Sequence, residues 1–569
     1  MNIIGINQSG HISSACLLQD GRIVAAGAEE RFNREKRSRE FPMQTIAFLL
    51  KKAGLTAKDI DSYAIGWNPG INISKFSKAN SGPLARHRGE YLYSVPSNLL
   101  KLYPHNVPDH VAQTFHLPDA TCTIQYVTHH DAHAALAFFG SGFSEAACLI
   151  VDGFGERAAT SFKSCAGNTF STLQQFDFPH SLGSFYGTLT TFLGFRADAD
   201  EWKVMALASS SPEATEFDRL LKKTYTLLPN GGVEFDLTYF DYYNFERDGY
   251  YTSKFVALLG PDRKPDAPLT QVHFDIAGAM QRCAEEIIFH ALNHLHRQTQ
   301  LEDLCVGGGV FMNSVLNGRI LTNTPFKRLH ISYAPDDSGS SVGSALFAHH
   351  CLNNQPNPGI QTRQCSFGPS FADQEIQAVL DKYRIAYTTL DDVPAQTAAL
   401  LAAGKIIGWF QGGMEFGQRA LGHRSILADP RDPQMKDKVN ATIKYREEFR
   451  PFAPSILADH VEEYFLTDGA PEVSFMEKVF LIRPEKRALI PAVTHIDGTG
   501  RLQSVSEEAN PLYHKLISAF QALTGIPVVL NTSFNIKGEP IVCRPDDAIR
   551  TFFTSGLDCL VIGSFLVSK

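Results

Sequence analysis

The stretch MNIIGINQSGHISSACLLQDGRIVAAGAE, residues 1–29, decides the fold at the start of the chain. Its apolar runs predict three consecutive strands: NIIGIN (2–7), SSACLLQ (13–19) and GRIVAAGAE (21–29). Asp20-Gly21 predicts a hairpin turn between the second and the third. A second start of this kind lies near Ala146, where CLIVDGFGE is followed by ATSFKSC and FSTLQQFDF. Two such starts predict a duplicated α/β fold that binds a nucleotide between its lobes.

A helix with two histidines on one face is predicted between these starts. His129 and His133 stand four residues apart in THHDAHAALAF (128–138), directly after the strand-like IQYVT. Helix spacing lets both imidazoles reach one point, and neutral imidazole is among the commonest metal ligands. Core or capping histidines would explain the pair equally well. Because Asp152 and the Asp336-Asp337 pair follow other apolar strands, a mixed nitrogen and oxygen metal site is the better interpretation.

A glycine triplet follows a later strand. The run LEDLCVGGGVFMNSVLNGRI (301–320) is typical of a strand, a glycine turn and a helix. Gly307, Gly308 and Gly309 would let backbone approach a ligand closely, and the helix N-terminus behind them favours anions. Most glycine triplets are merely turns, so that alternative stays open.

Size and composition limit the function classes. A chain of 569 residues is too long for one ordinary core, so two or more domains are expected. The formal charge of −8 argues against a broad electrostatic surface for nucleic acid. The basic run RFNREKRSR (31–39) is interpreted as a solvated surface, with anion binding as the second interpretation. Ten cysteines without a CxxC pair give no support to a zinc ribbon or thioredoxin-type chemistry.

The first residues lack the basic and apolar regions of a signal peptide, and no run approaches about 18 apolar residues. We therefore expect a cytoplasmic protein without a membrane partner. The stretch CLNNQPNPGIQTRQCSFGPS (351–370), rich in Asn, Pro, Gln and Gly, is typical of a linker. Residues 71–120 and the aromatic 235–252 are predicted insertions in the first domain. The aromatic segment is interpreted as core or lid packing, with an acceptor-binding surface second.

Three motifs beyond the linker are rich in groups that bind anions. QGGMEFGQRALGHRSILADPRD (411–432) contains Arg419 and Arg424, and NATIKYREEFRPFAPSIL (440–457) contains Lys444, Arg446 and Arg450. Guanidinium groups beside glycines suit bidentate binding of phosphate or carboxylate, although many arginines are surface residues. VLNTSFNIKGEPIV (529–542) places short polar side chains after a strand, where they can hydrogen-bond a nucleotide or form only a turn.

These motifs closely resemble those of the carbamoyltransferases typified by the nodulation-factor, tobramycin and cephamycin enzymes. The resemblance is carried by MEFGQRALGHRSILADPRD, IKYREEFRPFAPS and LNTSFNIKGEPIV. The N-terminal half agrees, because GINQSGHISSACLLQDGRI, AEERFNREKRSREFP, HHDAHAA, IVDGFGE, ADEWKVMALA, GGGVFMN and DDSGSSVGSA follow in the family's order. The resemblance covers essentially the whole chain.

The resemblance implies an enzyme of two α/β domains separated by a linker at 356–370. Residues 1–355 would form a Kae-like ASKHA (actin-like ATPase) domain with a metal and nucleotide site. Residues 371–569 would form a YrdC-like domain that makes carbamoyl-adenylate from carbamoyl phosphate and ATP. The carbamoyl group would then pass to a hydroxyl of an acceptor in the first domain. A sugar or an antibiotic or other secondary metabolite is the expected acceptor, and homo-oligomerisation stays open.

The resemblance also implies the roles of individual residues. A divalent ion, expected to be iron with zinc, manganese or magnesium as alternatives, would bind His129, His133, Asp152 and Asp337. The catalytic residues would be His11 as general base, with Lys444 and Arg450. Substrate and nucleotide contacts would come from Arg419, Arg424, Lys444, Arg450, Arg501, Asn531, Ser533, Asn535, Gly153, Gly307, Gly308, Gly309 and Asn313. Mg²⁺ could accompany ATP.

Two of these assignments have stated alternatives. Asp337 fits the family's D-x-G-x-x-x-G spacing, but the family commonly has glycine at the position of Asp336, so either carboxylate could be the ligand. His11 could instead be a structural histidine in a turn.

Other functions use related domains. An enzyme of tRNA threonylcarbamoylation would ask for an RNA-binding surface, which the acidic chain does not offer. Hydrogenase maturation would ask for CxxC pairs and an acylphosphatase-like start. A sugar kinase would leave the last 200 or so residues without a role. A non-enzymatic nucleotide-binding scaffold would not need the arginine and histidine motifs.

Overall fold

The structure, a computed structural model, describes residues 1–8, 11–68, 122–244, 249–444, 449–467, 469 and 472–569. The predicted insertion at 71–120, residues 245–248 of the aromatic segment, and Arg446 lie outside the described residues. Contacts divide the chain into two compact units. The first comprises Met1–Glu29 and Ser38–Gln361, and the second comprises Glu30–Arg37 and Thr362–Lys569.

The first unit contains two sheets of the same topology. Its described strands are β1 (Asn2–Gln8), β2 (Ser13–Gln19), β3 (Arg22–Ala28), β4 (Ser62–Ile65), β5 (Thr123–Tyr126), β6 (Glu145–Val151), β7 (Ala158–Ala166), β8 (Thr169–Asp177), β9 (Tyr225–Leu227), β10 (Val233–Phe235), β11 (Asp303–Gly307) and β12 (Arg328–Ile331). One sheet has the order β3-β2-β1-β4-β5 and the other β8-β7-β6-β11-β12, while β9 and β10 pair separately. In each five-stranded sheet the first three strands are antiparallel and the last two join in parallel. The predicted duplicated α/β fold is confirmed.

The predicted opening meander is confirmed nearly residue for residue. Asp20 and Gly21 both have positive φ, 46° and 80°, as a two-residue hairpin of the primed type requires. Buried Ile4, Ile6 and Leu17 form the core of this half. A helix at Met43–Ala53 follows the meander, and Gly54 ends it in the left-handed conformation.

Helices cover both sheets. Those that begin before residue 361 are α1 (Glu29–Asn33), α2 (Met43–Ala53), α3 (His129–Phe139), α4 (Leu182–Phe192), α5 (Glu201–Ala208), α6 (Glu216–Leu221), α7 (Ser253–Leu259), α8 (Gln271–Thr299), α9 (Ser314–Asn323) and α10 (Ser340–Phe347).

Helix α10 lies unusually close to its neighbours because glycines face them. A Cβ atom on Gly343 of α10 would stand 1.8 Å from the carbonyl oxygen of Ala132 in α3. A Cβ atom on Gly5 of β1 would stand 1.8 Å from the carbonyl oxygen of Ser341. No side chain fits at either contact, so α3, α10 and β1 meet backbone to backbone.

The aromatic segment packs inside the first unit. Phe235 stacks on Phe185 with ring centroids 5.1 Å apart, and Phe240 lies 5.6 Å from Phe255. All four side chains are buried. The described part of 235–252 therefore agrees with the interpretation as core packing.

The second unit is built on one ten-stranded sheet among its described residues. Its strands are β13 (Thr388–Thr389), β14 (Ile407–Phe410), β15 (Arg424–Ala428), β16 (Ala453–Leu457), β17 (Phe465–Leu466), β18 (Lys478–Ile482), β19 (Thr499–Val505), β20 (Val528–Ser533), β21 (Cys559–Ile562) and β22 (Phe565–Ser568). Its helices are α11 (Asp373–Lys382), α12 (Val393–Ala402), α13 (Met435–Val439), α14 (Val461–Tyr464), α15 (Pro484–Arg487), α16 (Pro511–Thr524) and α17 (Pro545–Phe553). The order is β13-β22-β21-β14-β15-β20-β16-β19-β18-β17, and Trp409, Ile426 and Phe520 belong to its core. A YrdC-like fold for this unit remains a prediction.

None of the helices in the described ranges has both the length and the apolar character needed to cross a membrane.

Candidate functional site

Four predicted side chains of the first unit converge on one point. The ligand atoms of His129, His133, Asp152 and Asp337 all lie within 4.8 Å of one another. The Nε2 atoms of the two histidines are 3.1 Å apart, and each is within 3.7 Å of Oδ2 of Asp152 and Oδ1 of Asp337. Both histidines are buried. This is a mixed set of two nitrogen and two carboxylate donors.

The histidines are placed by the start of α3. The hydroxyl of Thr128 accepts the backbone N–H of Asp131, which caps the helix. Glu156 adds a second cap, because its carboxylate accepts the N–H groups of His129 (3.0 Å) and Asn68 (2.6 Å). One helical turn then brings His133 beside His129.

Asp152 is held by backbone from two sides. Its Oδ1 accepts the N–H groups of Gly153 (2.8 Å) and Gly309 (3.3 Å), which leaves Oδ2 facing the histidines. Gly308 makes this approach possible, because its φ is +95° and a Cβ atom there would lie 2.2 Å from the carbonyl oxygen of Val151. In the structure, two of the predicted nucleotide-binding glycines therefore orient a carboxylate.

Asp337 begins the 3₁₀ turn that leads into α10. Its neighbour Asp336 accepts a hydrogen bond from the hydroxyl of Ser338 and is not a member of the cluster. His11 follows β1 and is close enough that its charge favours the ionised form of Asp337. The opening motif therefore lies beside the cluster.

The four groups perturb one another's ionisation. Burial opposes charge on every member, yet Asp337 and Asp152 raise the pKa of His129 well above its usual value. The pKa of His133 is also raised, against burial and the charge of His129, by the same two carboxylates. The histidines in turn lower the pKa of Asp152 and Asp337 despite burial. The two imidazoles and the two carboxylates thus favour opposite charges on each other.

The cluster fits a divalent cation on its donor chemistry. Nδ1 of His129 lies 3.3 Å from the carbonyl oxygen of Gly66, a contact that places the proton on Nδ1 and leaves the Nε2 lone pair for a ligand. A divalent ion would bind the neutral imidazoles, and its two positive charges would offset the two carboxylates. Imidazole with carboxylate suits a first-row transition metal better than magnesium.

His130, beside the cluster in sequence, and the predicted residue Asn313 have structural partners. His130 points away from the cluster, and its Nδ1 is 2.7 Å from the hydroxyl of Ser161. Asn313 caps α9 by accepting the N–H of Leu316 (3.0 Å), and it donates to Gln281 (2.7 Å). Gly307 ends β11.

In the second unit, Lys444 is brought together with two other predicted residues. Its ammonium donates to the carbonyl and hydroxyl oxygens of Ser533 and to the carbonyl and side-chain oxygens of Asn535. Lys444 is buried at the end of the π-helical turn Asn440–Lys444, and Ser533 ends β20. These three residues form what we call the lysine cluster.

Arg424 has the contacts of a residue that holds a loop. It is fully buried, and its guanidinium donates to the carbonyl oxygens of Gln411 (2.7 Å), Pro369 (2.9 Å) and Gly412 (3.2 Å) while stacking over Phe410. Burial lowers its pKa to about 10, so it remains charged at neutral pH. The guanidinium of Arg424 therefore holds the backbone around Gln411 and Pro369 in place.

Asn531 is also buried, and it lies two residues before Ser533 on β20. Its amide donates to the carbonyl oxygen of Ala420 and to Ser455 and Gln503, each at 3.1 Å. Arg419 directly precedes Ala420 and is partly exposed, as are Arg450 and Arg501. Asn531 therefore supports the loop that presents Arg419.

Sequence reasoning missed two features. The first is the capping role of Glu156, which its position in the motif IVDGFGE could have indicated. The other is the basic run 31–39, whose interpretation as a solvated surface is wrong for Arg31. That side chain is 4 % exposed and donates to the carbonyl oxygen of Gly417 (2.9 Å).

Comparison with known protein families decides the class. A family model described as the carbamoyltransferase N-terminus matches residues 2–346, and one described as the carbamoyltransferase C-terminus matches residues 398–569. The chain belongs to the carbamoyltransferase family. The predicted family and enzyme class are confirmed.

This carbamoyltransferase is also similar to curated proteins over most of its length. An uncharacterized protein of Synechocystis is 37 % identical over 602 aligned residues, covering 100 % of this chain and 97 % of its own. The nodulation protein NolNO of Sinorhizobium fredii is 37 % identical and covers 98 % and 79 %. NolO of Bradyrhizobium diazoefficiens is 38 % identical and covers 78 % and 79 %.

Solved structures resemble this carbamoyltransferase more distantly. A ROK hexokinase from Thermus thermophilus gives a TM-score of 0.30 at 15 % identity, over 62 % of this chain and 100 % of that one. Full-length HypF in its phosphate- and nucleotide-bound form gives 0.30 at 13 %, over 61 % and 55 %. These values are too low to support an inference about function.

Proposed function

We propose that this carbamoyltransferase works in two steps, one in each unit. The second unit would make carbamoyl-adenylate from carbamoyl phosphate and ATP. The first unit would transfer the carbamoyl group to a hydroxyl of a small acceptor, a sugar or secondary metabolite. The observation that carries the proposal is that the two family matches, 2–346 and 398–569, each contain one polar cluster of its own.

The proposed first step makes an activated acyl group. Carbamoyl phosphate and water give carbamate and inorganic phosphate, and a carbamate oxygen then attacks the α-phosphorus of ATP and displaces pyrophosphate. Both substrates are polyanions, so Lys444, Arg419, Arg450 and Arg501 would offset their charge and fix the attack geometry. Ser533 and Asn535 orient the lysine through four oxygens.

The proposed second step is acyl transfer to oxygen. The acceptor hydroxyl attacks the carbamoyl carbon, the bond to the adenylate oxygen breaks, and AMP leaves. His11 would take the hydroxyl proton, because imidazole titrates near neutral pH. His129, His133, Asp152 and Asp337 would hold a divalent ion, with iron as the expected metal. When bound, such an ion would neutralise phosphate oxygens and polarise the carbonyl as a Lewis acid.

The test is pyrophosphate release from ATP and carbamoyl phosphate by the full-length protein without an acceptor, with mass spectrometry for carbamoyl-adenylate. We expect both products to form. A protein that binds ATP and metal but releases no pyrophosphate, even when hydroxyl compounds are added, would contradict the proposal. Replacing carbamoyl phosphate by threonine and bicarbonate is the control, and adenylate from that mixture would favour the tRNA-type pathway instead.

A further inference from the structure

A short segment of the N-terminal half packs entirely into the second unit. Residues 30–37 are grouped with 362–569, although the residues on both sides of them in sequence belong to the first unit. The segment includes most of α1 and the first part of the basic run. We call residues 30–37 the strap.

Arg34 binds the loop that follows the lysine cluster. Its Nη1 donates to the carbonyl oxygen of Ile541 (2.7 Å) and its Nη2 to that of Pro540 (2.9 Å). Its Nε lies 3.5 Å from the carboxylate of Asp547 near the start of α17. Two consecutive carbonyls and one carboxylate therefore share a single planar guanidinium.

The bound loop is the one that carries Ser533 and Asn535. The side chain of Asn535 donates to the carbonyl oxygen of Glu539 (2.7 Å), and Val542 N–H returns to the carbonyl oxygen of Phe534 (3.0 Å). Residues 533–542 thus form a closed turn. Arg34 binds the C-terminal part of this turn at Pro540 and Ile541.

Arg31 binds the second loop. Its Nη2 donates to the carbonyl oxygen of Gly417, two residues before Arg419. Glu30 lies beside it, 3.6 Å from its Nε. The carboxylate of Glu30 also accepts the backbone N–H of Arg37 (2.8 Å). The strap is therefore braced internally, while Arg31 and Arg34 reach two different loops.

The backbone of the strap adds an independent observation. Arg34 and Arg37 have φ values of +65° and +62°, a region that residues with a side chain rarely adopt. Such conformations persist where surrounding contacts hold them, and they concentrate at functional sites. Here the N–H of Arg34 donates to the carbonyl oxygen of Glu30 (3.1 Å), and Glu30 also holds Arg37.

We propose that Arg31 and Arg34 are positioning residues for adenylate formation, because they hold the loops that present Arg419, Ser533 and Asn535. This inference rests on the assignment of adenylate formation to the second unit. Neither arginine needs to contact substrate for this role. A lysine would reach one carbonyl but not both of those that Arg34 binds, so Arg34→Lys should be only partly active.

The test compares full-length Arg34→Ala, Arg31→Ala and Arg34→Lys with the wild type. Arg39→Ala is the matched control, because Arg39 belongs to the same basic run and its side chain is exposed. Two measurements are made: hydrogen–deuterium exchange of residues 415–424 and 533–542, and the kinetics of acceptor-independent pyrophosphate release. We expect faster exchange in 533–542 for Arg34→Ala and in 415–424 for Arg31→Ala.

The kinetics separate positioning from mere folding. We expect kcat/KM for carbamoyl phosphate to fall between about tenfold and about a hundredfold in Arg34→Ala, with a raised KM and an unchanged melting temperature. Arg34→Lys should recover part of this loss. A fall in the folded fraction with KM unchanged would overturn the proposal, and so would wild-type exchange in both loops. If the wild type makes no adenylate, the proposed function fails, while the exchange data still decide whether the strap holds the loops.

Discussion

The polar clusters of the two units are built from opposite kinds of side chain. In the first unit, two imidazoles face two carboxylates. In the second, the ammonium of Lys444 donates to oxygens of Ser533 and Asn535, and the guanidinium of Arg424 donates to carbonyl oxygens and stacks on an aromatic ring. The first cluster offers the donor atoms that bind a cation, whereas the second is centred on a cationic side chain and suits an anion.

The largest expected effect comes from removing the cation of the lysine cluster. Lys444→Met keeps the length of the side chain but loses the ammonium, and we expect acceptor-independent pyrophosphate release to fall by about 10² to 10³. The amount of bound metal should not change. Lys438→Met is the control, since Lys438 is 51 % exposed and pairs with Asp432 at the surface. Loss of metal in Lys444→Met would break the comparison.

Removing one member of the first cluster should have the complementary result. His133→Ala leaves two carboxylates facing one imidazole, and we expect the affinity for a divalent ion to fall by more than about a hundredfold. Carbamoyl transfer should be lost while pyrophosphate release continues. Metal content after dialysis and both half-reactions are the measurements. His130→Gln, on the same helix but outside the cluster, should keep the metal.

A smaller effect should follow from crowding the contact between α3 and α10. Gly343→Ala places a methyl group against the carbonyl of Ala132, and we expect it to destabilise the first unit by about 1–3 kcal/mol and to weaken metal binding. Denaturant unfolding and metal titration measure this. Gly187→Ala is the control, because a Cβ atom there would meet its nearest neighbour at an ordinary 3.6 Å. Equal stability of the two variants would show that the close packing does not position Asp337.

The smallest expected effect is on the pH dependence of stability, and it concerns His495 of the second unit. Burial, aided by Arg501 and Lys436, lowers the pKa of His495 to about 4 from its usual 6.5, whereas carboxylates raise those of His129 and His133. In the unfolded chain His495 binds a proton as the pH falls below 6.5, whereas in the folded protein it binds one only near pH 4. Stability is therefore lost as the pH falls through this window.

We expect His495 to lower the free energy of unfolding of the second unit by about 1 kcal/mol between pH 7 and pH 5.5. His495→Gln should remove that part of the acid sensitivity, which urea unfolding at the two pH values measures. An unchanged pH dependence in the variant would mean that His495 is not held neutral.

Local patterns in the sequence were enough to predict the fold of the first unit. Strand periodicity and Asp20-Gly21 give the opening meander, and a spacing of four gives the histidine pair. These features depend on neighbours in sequence. The convergence of Asp152 and Asp337 on the histidines was expected from the family resemblance and from the ends of strands, not from spacing alone.

The contacts that were not predicted join residues far apart in the chain. The residues around Arg424 in sequence are typical of an anion-binding motif. Only the structure shows that its guanidinium is buried and donates to the carbonyl oxygens of Gln411 and Pro369. The basic run resembled a solvated surface because its charge pattern carries no information on residues 386 and more positions away. Tertiary contacts therefore decide which cationic side chains bind groups of the protein itself, and the local sequence does not.

The strap also has a consequence for the order in which the molecule is made. Arg31 is separated from Gly417 by 386 residues, and Arg34 from Pro540 and Ile541 by 506 and 507. During translation the strap leaves the ribosome at least 386 residues before the partners of its arginines. The second unit therefore gains these contacts only after Gly417, Pro540 and Ile541 have been made. A chain interrupted before residue 540 would carry Arg34 without the two carbonyl groups that it binds.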